Sequence, residues 1–72
     1  MSVVTKTIRL SGESDDSFEE AISAAVGRAA LTITDIVSYK VVDLSGAVDD
    51  SGVPTFKATI DLTFNIKESI HG

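Results

Sequence analysis

The stretch Thr55–Lys67, TFKATIDLTFNIK, decides the fold. From Phe56 onward the apolar residues occupy every second position: Phe56, Ala58, Ile60, Leu62, Phe64 and Ile66. Thr55, Lys57, Thr59, Asp61, Thr63, Asn65 and Lys67 lie between them and are all polar. Successive side chains of a β-strand point to opposite faces, so the segment is a strand with one dry face and one wet face. The dry face needs an apolar cover, and the candidate is an amphipathic helix upstream. Phe18, Ala21, Ile22, Ala25, Val26, Ala29 and Ile33 recur at three- and four-residue steps, which predicts a helix over Ser17–Thr32. Ahead of it, Glu13-Ser14-Asp15-Asp16 is helix-start chemistry. Ser14, Asp16 and Ser17 can each cap, and Asp16 with Glu19 or Ser17 with Glu20 has capping-box spacing. Gly27 is costly in a helix interior, with close packing as its plausible compensation.

Two further strands complete the pattern. Val3–Leu10 places Val4, Ile8 and Leu10 on one face, with Lys6 as the exception, and Ser11-Gly12 is expected to end it. Ile36–Val48 is less regular. Strict alternation sets Val37, Tyr39 and Val41 against Ile36, Ser38, Lys40, Val42 and Leu44, and Ser45-Gly46 is the expected bulge or bend. Asp49-Asp50-Ser51-Gly52 is a tight turn, and Pro54 stands at the entry to the final strand, where its missing N–H does least damage. The fold class is therefore α+β, in the order β-α-β-β, with the second and third strands forming a hairpin. Residues 1–67 read as a single domain and 68–72 as a frayed tail.

The 72 residues carry no Cys, and the one His is His71. Disulfides and thiolate metal sites are excluded, and no His-based metal site or catalytic dyad is expected. A domain of this size buries only about 60% of the surface that its unfolded chain exposes. With staples absent, self-association is the expected source of additional stability. Eleven acidic and six basic residues give a net charge of −5 without any basic cluster, so nucleic-acid binding is not expected. The N-terminus has no signal-peptide pattern, and no apolar run reaches the length of a membrane span; a cytoplasmic location is expected. The pairs Asp15-Asp16 and Asp49-Asp50 read as helix start and turn rather than as metal ligands. No phosphate loop or catalytic triad is present, and no enzymatic activity is expected.

The order of elements and several local patterns resemble the dodecin family. The resemblance rests on Leu10-Ser11-Gly12-Glu13-Ser14 followed by Ser17-Phe18-Glu19-Glu20-Ala21, and on Arg28-Ala29-Ala30 with Thr32. It extends through Tyr39 to Asp43, then the Gly52 turn and the alternating strand with Phe64, and covers nearly the whole chain. It implies a three-stranded antiparallel sheet wrapped around the helix and a homo-oligomeric, hollow dodecameric shell. It also implies a non-enzymatic role in storing a small ligand: riboflavin or FMN in many members, coenzyme A in some. The flavin positions are where this chain departs. Family members stack a Trp of the second strand on the isoalloxazine ring and hydrogen-bond its polar edge with a Gln of the third. Those positions fall on Ser38 and Lys57, and the sequence contains neither Trp nor Gln. Ser has no stacking face, and an ammonium only donates where an amide both donates and accepts. Asp43 aligns with an acidic position near the ribityl chain in some members. The resemblance thus implies a ligand-binding shell with flavin affinity weakened or lost at Ser38 and Lys57, or alternatively a flavin-sequestering protein with an altered site.

Overall fold

A computed structural model describes residues 2–66. Strand β1 spans Thr5–Ser14, helix α1 Phe18–Ala29, strand β2 Ile36–Val48 and strand β3 Pro54–Asn65. All pairing is antiparallel and the sheet order is β1-β3-β2, so the alternating strand is the central one. The expected segment Lys67 and the tail 68–72 lie outside the described residues.

The first strand is longer at its C-terminal end than its apolar pattern predicts. Ser11 and Gly12 pair with Thr59 and Ala58, and the ladder continues to Ser14↔Phe56. Gly12 does not end β1; it lets α1 lie close. A Cβ there would collide with the carbonyl oxygen of Ala21 and come within 3.0 Å of the amide nitrogen of Ala25. The helix stops at Ala29, three residues before the predicted Thr32. Leu31 and Thr32 N–H donate to Arg28 and Ala29 carbonyls at 3.2 and 3.1 Å, the tighter three-residue closure common at helix ends. Ser17 is the N-cap, its hydroxyl accepting from Glu20 N–H at 3.0 Å. The reciprocal half of the capping box does not form. Glu20 Oε1 instead accepts from the Ser14 hydroxyl, which itself accepts from Asp16 N–H at 2.9 Å.

The helix covers the dry faces of β1 and β3. Ala21, Ala25 and Ala29 are buried against Ala58, Ile60 and Leu62, and Ile8, Leu10, Ile22, Val26, Ile33, Ile36 and Phe64 pack around them. Phe18 meets Phe56 edge-to-face with ring centroids 5.1 Å apart. Gly27 faces outward, and a Cβ added there would touch nothing. Within one chain, therefore, it does not serve close packing.

Strand β2 departs from strict alternation through register shifts between Ile36 and Ser38 and between Val41 and Asp43. Each shift skips one residue, Val37 and Val42. Ile36, Tyr39, Val41 and Leu44 consequently share the dry face of β3, while Ser38, Lys40, Asp43 and Ser45 share its wet face. The expected irregularity at Ser45-Gly46 is absent from the register. Gly46 instead permits a close backbone approach, because a Cβ there would collide with the carbonyl oxygen of Thr55. The helix lies chiefly on β1 and β3, and most of the apolar face of β2 stays open: Tyr39 is 52% and Leu44 49% exposed.

Candidate functional site

The wet face of the sheet carries the polar chemistry, in rows that cross the three strands. Thr7 and Thr63 hydroxyls meet at 2.8 Å. In the next row Arg9 grips Asp61 with two hydrogen bonds, Nε to Oδ1 at 2.8 Å and Nη2 to Oδ2 at 3.1 Å. Lys40 is register partner to Asp61 from the other side. The Arg9 hydrogen bond holds the Asp61 carboxyl below its ordinary value against an opposing effect of desolvation, and the charges of Arg9 and Lys40 act in the same direction as the hydrogen bond. Ser11 and Thr59 hydroxyls follow at 2.9 Å, with Asp43 opposite Thr59. The last row is Glu13, Lys57 and Ser45.

This last row behaves differently from the Arg9–Asp61 row. Glu13 and Lys57 are directly opposed, yet their head groups make no ion pair or hydrogen bond among the described residues. Both line a groove of about 340 Å³ together with Ser45, Gly46, Ala47 and Thr55. The groove exists because β1 ends at Ser14, leaving the hairpin arm uncovered, and because positions 46 and 47 are small. A second groove of about 330 Å³ lies at the opposite end of the sheet, between Thr32–Thr34 and Phe64–Ile66.

Ser38, Asp43 and Lys57 all face the same side, and the two bulges in β2 put the first two there. Tyr39, opposite Leu62, points to the other side from Ser38. Asp43 is one row from Lys57. Ser38 is not close: its partner Thr63 is six positions along β3 from Lys57, or roughly 20 Å at the rise of a strand. A single chain therefore does not bring the two positions together around one ring. Sequence reasoning missed Glu13 and the Arg9–Asp61–Lys40 row as parts of this face. Period-two spacing does put Arg9 and Glu13 on one face of an extended first strand, but no sequence signal set their register against β3. Among the described residues no three His, Cys, Asp or Glu side chains gather as a metal site, and no helix is long and apolar enough to cross a membrane.

The chain matches known proteins over this whole architecture. A dodecin of Thermus thermophilus is 29% identical over 69 residues, covering 96% of this chain and 100% of the relative. A crystal structure of that protein with a Trp replaced by Phe is 28% identical, superimposes with a TM-score of 0.87 and covers 93% of this chain and 100% of the other. The calcium dodecin of Mycobacterium tuberculosis is 33% identical over 64 residues, covering 89% of this chain and 90% of the relative. The structure of this calcium-chelating antigen gives a TM-score of 0.84 at 32% identity, covering 96% and 99% of the two chains. The dodecin family model matches residues 4–67. The β-α-β-β order and the antiparallel sheet over one helix agree with these relatives; dodecin homologues form homo-oligomers that bind small ligands, and dodecins are not enzymes. The chain belongs to the dodecin family.

Proposed function

We propose that this protein stores a small ligand in a hollow shell of twelve copies, in the cytoplasm, and that its affinity for flavin is reduced by Ser38 and Lys57. The observation that carries the shell is the uncovered apolar face of β2. Against only six buried apolar residues among those described, Tyr39, Val41 and Leu44 stand side by side without a cover. An exposed face of this kind marks an interaction surface. A second copy is the cover that also brings Ser38 of one chain toward Lys57 of another. Ser38 offers no aromatic surface, and base–aromatic stacking elsewhere contributes about 1–3 kcal/mol, so riboflavin and FMN bind more weakly here than in a relative with Trp. Coenzyme A is the other family ligand that the shell would accept, and residues 1–67 form the domain that builds it.

Analytical ultracentrifugation tests the assembly, and native mass spectrometry of the freshly purified protein identifies what it carries. Riboflavin titration followed by flavin fluorescence tests the site. Strong quenching at low micromolar ligand would favour the alternative, a flavin-sequestering protein with an altered site. A stable monomer at micromolar concentration would refute the shell.

A further inference from the structure

We infer that the hairpin tip of one copy, residues 48–53, docks in the groove that residues 32–34 and 64–66 form at the far end of another copy. The inference rests on the self-association proposed above and adds a contact distinct from the open face of β2. The tip is built to dock. Val48 and Val53 are 68% and 52% exposed on either side of the turn. They lie beyond the last β1 pair, Ser14↔Phe56, so β1 does not cover them. The turn between them is fixed: Asp49 Oδ1 accepts from Ser51 N–H at 2.9 Å, the Ser51 hydroxyl at 2.6 Å and Val53 N–H at 3.0 Å. Docking a rigid tip costs little ordering entropy.

The groove at the other end complements it. Its volume is about 330 Å³, and Ile33, Phe64 and Ile66 are among its walls. Leu31 and Val4, 76% and 53% exposed, extend the apolar surface there, since Ile66 N–H donates to the Val4 carbonyl and Leu31 directly precedes Thr32. The charges also match. The tip carries Asp49 and Asp50. The groove end carries Lys6, register partner of Phe64, and Arg28 in the last turn of α1, against the single carboxylate of Asp35 among the described residues there. Neither Lys6 nor Arg28 makes an ion pair among the described residues. The occupant is a second copy because both halves of the match lie on this chain. A chain cannot fill its own groove: Pro54 and Phe64 are ten positions apart on β3, or roughly 33 Å at the rise of a strand. Joining two different patches makes the contact heterologous, so repetition closes a ring or runs on as a filament. Rings joined through the open face of β2 then close into a shell.

The chain contains no Cys, so Val53→Cys and Thr34→Cys each introduce a single thiol, one at the tip and one in the groove. The two variants are produced separately and also co-expressed under different affinity tags, then treated with a short bismaleimide. Cross-linking is expected between the two co-expressed chains and not within either variant alone. Asp50→Lys in the chain that carries the tip thiol should lower the yield roughly threefold, the effect of a screened surface charge pair. Equal self-cross-linking of either single variant would show a like-to-like contact instead, and an unchanged yield with Asp50→Lys would remove the charge match; either result overturns the inference. So does an absence of cross-links in co-expressed chains that sediment as an assembled particle, a result that leaves the shell itself standing. A monomer in sedimentation removes both.

Discussion

Gly12→Ala is expected to be among the most damaging single-methyl changes in this chain. The added Cβ would lie well under 3.0 Å from the Ala21 carbonyl oxygen, 3.0 Å from Ala25 N and 3.1 Å from Ala25 Cβ. The first two are helix backbone atoms, so no side chain can swing aside to make room. Restoring ordinary contact near 3.5 Å means moving α1 off the sheet by about 1 Å. That displacement opens the layer in which Ala21, Ala25 and Ala29 meet Ala58, Ile60 and Leu62, the buried apolar residues among those described.

 A radial gap of 0.5–1 Å forfeits about a quarter to a half of the dispersion attraction at each contact, and overpacking of this kind costs about 1–3 kcal/mol. The upper end applies, because the collision is with backbone. About 3 kcal/mol corresponds to a Tm lower by roughly 12–24 °C in a domain of this size. Thermal unfolding followed by circular dichroism at 222 nm measures it, at one fixed protein concentration, since any self-association makes Tm concentration-dependent. Gly27→Ala is the matched control: its Cβ meets nothing, so it should raise stability by about 1 kcal/mol through helix propensity alone. A Gly12→Ala variant that melts within a few degrees of the parent would refute the close approach of helix and strand.

Three further outcomes are expected. Leu44→Asp places a charge on the open apolar face of β2 and should leave a monomer in sedimentation velocity; an unchanged assembly would show that this face is not the interface. The double substitution Ser38→Trp with Lys57→Gln should strengthen quenching of riboflavin fluorescence, and normal assembly without binding would show that the site positions are misaligned. Asp61 is held below 3.8 mainly by the Arg9 hydrogen bond. Its contribution to stability is therefore present above its ordinary value and lost as pH falls through the lowered one. Asp61→Asn should flatten the decline of Tm below about pH 4, and an identical acid profile in the two proteins would refute a structural role for the pair.

The strand Ile36–Val48 and the alternation of β3 were legible in the sequence because one is bounded by Asp35 and a Gly turn and the other has a clean period of two. The limits of β1 were not. Ser11, Gly12 and Glu13 look like a terminator by composition, and only their pairing with Thr59, Ala58 and Lys57 keeps them in the strand. That information lies more than forty residues away along the chain. The faces of β2 were misread for a related reason. A bulge skips one residue, and nothing local to Val37 or Val42 distinguishes it from its neighbours. Strict alternation sets Asp43 on the face opposite Ser38; only the two bulges bring both to the side of Lys57, and their spacing was invisible until the register was known. The open Glu13–Lys57 row needed both register and side-chain placement.

The sheet order β1-β3-β2 also has a consequence for synthesis. The central strand is the last of the four elements to leave the ribosome, and β1 waits for a partner more than forty residues downstream. Until β3 arrives, α1 has no strand face to cover beyond that of β1, and β2 lacks its one neighbour. Pairings this distant are slow to form, because the loop must close before any contact rewards it. The nascent chain therefore emerges with its apolar stripes exposed and completes its sheet in one late step, when Phe56 to Phe64 slides between two waiting edges. A protein built this way is exposed to aggregation chiefly during its translation, while these stripes remain uncovered.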